Sequence, residues 1–162
     1  PDCIRAWANK EVLQVRNAQA TRPWQYVLEP LSGYLSLAAK LQKSPHNHGE
    51  AYNFGPLQNE YFSVSQLIDE MKQLWGQSFT QDILIEENAT LESSFLKLNC
   101  DKALIHLGWT PTLHFHEAVR MTVEWYKEFH EEKHRDLFDF SAAQIEEYTS
   151  IAQERDLPWV SK

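Results

Sequence analysis

Apolar and polar positions along this chain repeat with helical period in some stretches and alternate in others, and the changes of period mark its elements. Residues 3–8 carry helical spacing, and a β-prone stretch follows at 12–16. A polar turn at 17–20 leads into a second β-like run at 21–27. Pro30 fits the first turn of a helix, where its missing N–H costs nothing. Leu31, Tyr34, Leu35, Ala38 and Leu41 then keep helical spacing. Residues 43–49 read as a loop, and 51–55 as a short strand running into a turn at Gly55-Pro56.

The next helix is the best signposted. Ser63 with Gln66 forms a capping box, and Phe62 with Leu67 offers a hydrophobic staple. Val64, Leu67, Ile68, Met71 and Trp75 share one face, and Gly76 suits the position just past its end. Residues 82–85 and 94–98 are further strand candidates. Asn99 caps a helix with apolar Ala103, Leu104 and Leu107, stopped by Gly108 and followed by Pro111. Phe115, Val119, Thr122, Val123, Tyr126 and Phe129 trace a long amphipathic helix. A charged stretch at 131–136 precedes a last helix, capped by Ser141 and Gln144, with Ile145, Tyr148 and Ala152 on one face. No repeat is present. The expected fold class is mixed α and β (α/β), without enough βαβ alternation for a complete doubly wound sheet.

Composition narrows the function classes. A chain of 162 residues can hide roughly 70% of its unfolded surface, so one domain over 1–162 is expected. No apolar run approaches the ~20 residues of a membrane helix, and no signal peptide opens the sequence. The net charge of −8, with Lys and Arg scattered among acids, argues against nucleic acid as a partner. Cys3 and Cys100 lie far apart and form no CxxC pattern, which points to reduced thiols in a cytoplasm. The chain opens on Pro1 rather than Met, in a stretch that already reads as helix, so a fragment of a longer protein is expected.

Few residues suggest chemistry. His130-Glu131-Glu132-Lys133-His134 matches the zinc string HExxH, but Glu132 and Lys133 sit between the histidines and no third ligand follows closely. A solvated helix end explains it better. His114 and His116 flank Phe115 and read as polar residues at a helix start, while His46 and His48 fall in a loop. No G-x-S-x-G elbow, G-x-G-x-x-G or G-x-x-x-x-G-K is present. Adjacent Glu86 and Glu87 would point to opposite faces of a strand. The informative segment is Thr21-Arg22-Pro23-Trp24-Gln25-Tyr26-Val27-Leu28-Glu29-Pro30-Leu31. An arginine entering a β-run after a polar turn can present a planar fork of donors to a diphosphate. A surface arginine stacked on Trp24 is the alternative.

Arg22-Pro23-Trp24-Gln25-Tyr26-Val27-Leu28-Glu29 resembles the Arg-Asp-aromatic-x-aromatic-Val-x-Asp signature of extended short-chain dehydrogenases that act on sugar nucleotides. Its particular form is similar to the CDP-glucose 4,6-dehydratases rather than to the dTDP-glucose enzymes or UDP-galactose epimerases. Pro1-Asp2-Cys3-Ile4-Arg5-Ala6-Trp7, Glu50-Ala51-Tyr52-Asn53-Phe54-Gly55-Pro56, Phe95-Leu96-Lys97-Leu98-Asn99-Cys100-Asp101-Lys102-Ala103 and Leu107-Gly108-Trp109-Thr110-Pro111 follow the same resemblance in order. It spans about residues 1–130.

The resemblance implies the C-terminal, sugar-nucleotide-binding part of such an enzyme, with an incomplete Rossmann portion. It implies conversion of CDP-glucose to the CDP-4-keto-6-deoxy sugar for surface-polysaccharide (O-antigen) precursors. NAD and the catalytic Tyr-x-x-x-Lys pair would be held upstream of Pro1, and Tyr34 and Lys40 do not match that spacing. It further implies Arg22 as the diphosphate ligand and Gln14, Val15 and Arg16 along the base and ribose, with Arg16 standing where the dTDP enzymes have an aromatic. Ser63 falls near a phosphate-binding position, and Glu92 aligns with a family acid. The full-length protein is expected to form a homo-oligomer. The helix over 31–41 and the strand at 52–54 would pack on the Rossmann portion, leaving apolar surface exposed in this chain alone.

Overall fold

Helices dominate, and the strands are short. The computed structural model describes residues 2–44, 48–76, 83–85, 96–131 and 136–160. Helix α1 (Asp2–Asn9) is followed by β1 (Leu13–Val15), β2 (Thr21–Arg22) and α2 (Leu28–Lys43). Then come β3 (Phe62–Ser63), α3 (Val64–Trp75), β4 (Ile83–Ile85), α4 (Asp101–Leu107), α5 (Phe115–Glu131) and α6 (Phe138–Glu154). Strand β1 pairs with β4 in parallel, Gln14 opposite Leu84. Strand β2 pairs with β3 antiparallel, Thr21 opposite Ser63 and Arg22 opposite Phe62. The mixed α/β class holds.

Three apolar clusters make the core. The first gathers Ile4 and Trp7 of α1, Leu13 and Val15 of β1, Ile68 and Met71 of α3, and Phe115, Val119 and Val123 of α5. The amphipathic faces read for α3 and α5 therefore meet each other, and β1 contributes to the same cluster. The second joins Tyr26 and Leu113 to Met121 and Tyr148, and the third joins Phe54 to Ala103, Leu107 and Trp109. Helix α5 is the shared wall of the first two.

Several local expectations hold. Ser63 Oγ accepts from the Gln66 amide, and Gln66 reaches back to the Ser63 amide, so the capping box is complete. Gly108 ends α4 in the left-handed conformation, φ 68°. Others do not. The β-run expected over 21–27 stops after Arg22, because Pro23 has no N–H for a ladder. Residues 51–55 and 96–98 form no strand among the described residues, since no neighbouring ladder is there to pair them. Residues 94 and 95 of the second candidate lie outside the described residues. Cys100, not Asn99, is the N-cap of α4, although the Asn99 side-chain oxygen accepts from the Asp101 amide at 3.0 Å.

Helix α6 starts at Phe138, earlier than expected, and its supposed caps link helices instead. Ser141 accepts from Trp125 Nε1 at 3.0 Å. The Gln144 side chain accepts from the Tyr26 hydroxyl and donates to the Met121 carbonyl, both at 2.8 Å. Tyr148 and Ala152 are buried as expected, but Ile145 is exposed.

Helix α2 leaves apolar residues exposed, in line with the expectation for 31–41. Its buried residues are Glu29, Ser32 and Gly33, whereas Leu31, Tyr34 and Leu35 are exposed, Leu35 at 73%. Gly33 is needed for this packing. A Cβ there would lie 2.3 Å from Cδ1 of Phe54, whose ring also meets Trp109 edge-on at 4.9 Å.

Two outcomes follow. Gly33→Ala is expected to destabilise the chain by about 1–3 kcal/mol, despite alanine's better helix propensity, because the Phe54 ring must move. Urea unfolding that shows equal or higher stability would reject that packing. The exposed α2 face is expected to make the isolated chain self-associate, and Leu31→Lys with Leu35→Lys to restore a monomer. Light scattering over a concentration series reads this, and a monomeric unsubstituted chain would refute it.

Candidate functional site

The candidate residues cluster around one turn. Strand β1 alternates, with Leu13 and Val15 turned into the core and Gln14 outward. Arg16 follows, exposed, at the carboxyl end of this parallel strand. That end is where open parallel sheets bind ligands. Val15, expected beside a base, has its side chain in the first core cluster, so only its main chain could face a ligand.

The turn at 17–20 then returns the chain to β2. Arg22 is half-buried, neither inside a core cluster nor fully in water. Its Nη1 donates to the Thr21 carbonyl at 2.9 Å. Beside it, the Trp24 amide donates to the Arg22 carbonyl and the Trp24 indole to the Phe62 carbonyl, both at 2.9 Å.

Ser63 is placed differently from the expectation. It is buried, and its hydroxyl lies 2.8 Å from that of Ser65 while accepting the Gln66 amide. The other open amides of α3 are also used. Ser63 N donates to the Gln66 side chain, Val64 N to the Ala20 carbonyl and Ser65 N to the Ala18 carbonyl. A helix leaves four such N–H groups at its start, and here all four have partners. The start of α3 is thus built into the β1–β2 turn and offers no amide to a phosphate. Glu92 lies outside the described residues. Exposed Gln14 and Arg16 and half-buried Arg22 remain as candidates.

The other end of the motif was not assigned a role in the sequence, and it is the most connected polar group described. Glu29, 1% exposed, accepts from the Thr112 amide at 2.9 Å and the Leu113 amide at 2.7 Å. The Tyr148 hydroxyl is 2.9 Å from its Oε2 and 3.0 Å from the Ser32 hydroxyl, which also accepts from Trp109 Nε1. Burial pushes the Glu29 carboxyl above its ordinary range, against the lowering effect of the two amides, Tyr148 and the Arg155 charge. Burial, and then the Glu29 charge, push the Tyr148 phenol up as well. Arg155 also donates to the Thr112 carbonyl and, at 2.7 Å, to Glu117. An acid inside an otherwise apolar helix start was the one available signal.

The histidines take structural contacts. His114 Nδ1 lies 2.5 Å from Glu60 and His116 Nδ1 2.9 Å from Glu70. His130 packs edge-on to Trp75 and Phe129, while His134 lies outside the described residues. No metal-holding group of His, Cys, Asp and Glu occurs among the described residues. Grooves of about 490 and 480 Å³ flank Ile145, and neither is lined by Gln14, Arg16 or Arg22. Among the described residues no helix is long and apolar enough to cross a membrane.

The Glu29 anchor generates a pH prediction. Its folded-state pKa is raised, so the native chain binds more protons than the unfolded one between the unfolded and folded values. Its contribution is fully present below the unfolded value and is lost as pH rises through the folded one. Glu29→Gln is expected to flatten this part of the stability profile, and Glu29→Ala to cost ~3 kcal/mol or more by orphaning its donors. Urea unfolding from about pH 4 to about pH 8 reads both, and an unchanged slope in Glu29→Gln rejects the assignment.

No protein-family model matches the chain. A CDP-glucose 4,6-dehydratase from Salmonella typhimurium is 36% identical over 150 residues, covering 93% of this chain and 41% of that protein. Among solved structures, dTDP-glucose 4,6-dehydratase from Bacillus anthracis, in complex with NAD, matches with a TM-score of 0.62 at 18% identity. That match covers 80% of this chain and 39% of the other. UDP-glucuronic acid 4-epimerase from Bacillus cereus, in complex with UDP-glucuronic acid and NAD, gives 0.62 at 19% identity, covering 79% and 39%. The chain spans about two fifths of the length of these relatives. The sequence carries no glycine-rich phosphate loop of the kind that holds a dinucleotide. By sequence the chain is similar to part of a CDP-glucose 4,6-dehydratase, and its fold is similar to part of the nucleotide-sugar dehydratase and epimerase structures it matches.

Proposed function

We propose that this chain is the sugar-nucleotide-binding part of a cytoplasmic CDP-glucose 4,6-dehydratase, which converts CDP-glucose to CDP-4-keto-6-deoxyglucose. The NAD that supplies the hydride chemistry, and the catalytic residues, would belong to a portion of the enzyme outside this sequence. The residues in hand therefore bind and orient, and no proton or hydride step is assigned to them. Arg22 grips the diphosphate, while Gln14 and Arg16 flank the base and ribose. A guanidinium can stack on a pyrimidine as well as pair with phosphate, which suits Arg16 at an exposed strand end.

One observation carries this reading. Arg22 stands half-exposed at the start of the Arg22–Glu29 motif, while the far end of the same motif is locked in the core. A half-exposed guanidinium at this place keeps donors for a diphosphate, which supports the reading. Identity of 36% to a CDP-glucose 4,6-dehydratase favours cytidine over the other nucleotides. Another nucleotide-sugar dehydratase or epimerase is the second reading, favoured by the equal fold similarity to dTDP- and UDP-sugar enzymes. A free-standing nucleotide-sugar-binding module would bind without turnover.

The full-length gene product decides between them. CDP-glucose is expected to bind more tightly than dTDP-glucose or UDP-glucose in calorimetric titrations. Arg22→Ala is expected to weaken CDP-glucose binding by ~10- to 100-fold, the effect of losing one charged contact. Equal affinity in the variant removes Arg22 from the site, and preference for another sugar nucleotide selects the second reading.

A further inference from the structure

Arg22 stands on very little secondary structure. Strand β2 has two residues and pairs with the two residues of β3. So short a ladder fixes register weakly on its own. Something else must hold Phe62, the residue opposite Arg22, in place.

That support comes from the start of α5. The Glu60 carboxylate, whose side chain is 15% exposed, spans two groups there. One oxygen accepts from the Phe115 amide at 3.0 Å, and the other lies 2.5 Å from His114 Nδ1. Two residues on, the Phe62 ring stacks on the Phe115 ring, centroids 3.8 Å apart and planes 16° from parallel. The Phe62 carbonyl in turn accepts the Trp24 indole, and Trp24 is bonded back to the Arg22 carbonyl. A continuous path of short contacts thus leads from the α5 N-terminus through Glu60 and Phe62 to Arg22. His114 is itself held, its amide donating to Glu117 at 2.7 Å.

We propose that Glu60 is a positioning residue for Arg22: by tying β3 to the first turn of α5, it sets where the guanidinium meets the diphosphate of a bound sugar nucleotide. This rests on Arg22 being the diphosphate ligand. Glu60 itself touches no ligand. Its effect passes through the Phe62 backbone, so it is felt only while Arg22 is present. A Gln at this position keeps an acceptor for the Phe115 amide and a group able to meet His114.

A double-mutant cycle on CDP-glucose affinity in the full-length gene product tests this. Glu60→Ala is expected to lose about 10-fold in affinity, a fraction of an ion-pair contact, and Glu60→Gln to recover most of it. In an Arg22→Ala background, Glu60→Ala is expected to add no further loss. A merely structural role would lower the melting temperature of both variants without this dependence on Arg22. If Arg22→Ala binds weakly while Glu60→Ala binds normally, or if the two losses multiply, the positioning role is overturned and the Arg22 reading survives. If Arg22→Ala itself binds normally, both fall. Should Glu60→Ala not fold, Phe62→Leu, which removes only the ring stack, carries the same cycle with the same outcomes.

Discussion

The carboxyl group of Glu29, shut away from water, is the constraint around which the described fold is arranged. A buried carboxyl is tolerable only where donors surround it. Here the amides of Thr112 and Leu113 and the hydroxyl of Tyr148 supply them. These donors come from the entry to α5 and from α6, so one side chain at the start of α2 joins three helices. Ser32, one turn along α2, extends the network to Trp109 beyond α4. Breaking it would strand several buried polar groups at once, which is why its geometry is so fully satisfied.

That anchor also explains the outer face of α2. With Glu29, Ser32 and Gly33 turned inward, the leucines at the other face have nowhere to go but outward. Glu29 and Ser32 line the inside beside the half-buried Leu28 and Leu37, while Leu31 and Leu35 lie outside, unlike an ordinary surface helix. Gly33 makes this packing possible, because only a residue without a Cβ lets the Phe54 ring lie against the helix. An exposed apolar face of this kind suits a body that packs against more protein, in keeping with relatives more than twice as long.

The candidate site hangs between two supports. Glu29 fixes the end of the motif, and the short β2–β3 ladder fixes its beginning at Arg22. Gln14 and Arg16 approach the same turn from β1, whose alternate residues are committed to the core. The amides at the start of α3, beside Ser63, are consumed in part by the carbonyls of Ala18 and Ala20. The proposed contacts there rest on side-chain charge rather than backbone amides.

The order of elements was legible because it depends on neighbours within a turn or two. The capping box at Ser63 and Gln66, the glycine stop at Gly108 and the facing stripes of α3 and α5 all appear where their local patterns put them. The motif that resembles the signature of nucleotide-sugar enzymes is equally local, a string of consecutive residues. Partners distant in the chain were not legible. Gln144 looks like a helix cap in sequence but spends both ends of its amide on Tyr26 and Met121. Residues 51–55 have strand composition but no ladder beside them. Glu29 and Glu60 look like ordinary surface acids until the fold brings donors from residues 112–115 to them. The sequence by itself determined where the helices form and which family the motifs resemble in order and spacing. Only tertiary structure decided which acids are buried and which side chains join distant elements, because burial and hydrogen bonding are settled by groups far apart in the chain, and no local pattern records who those partners will be.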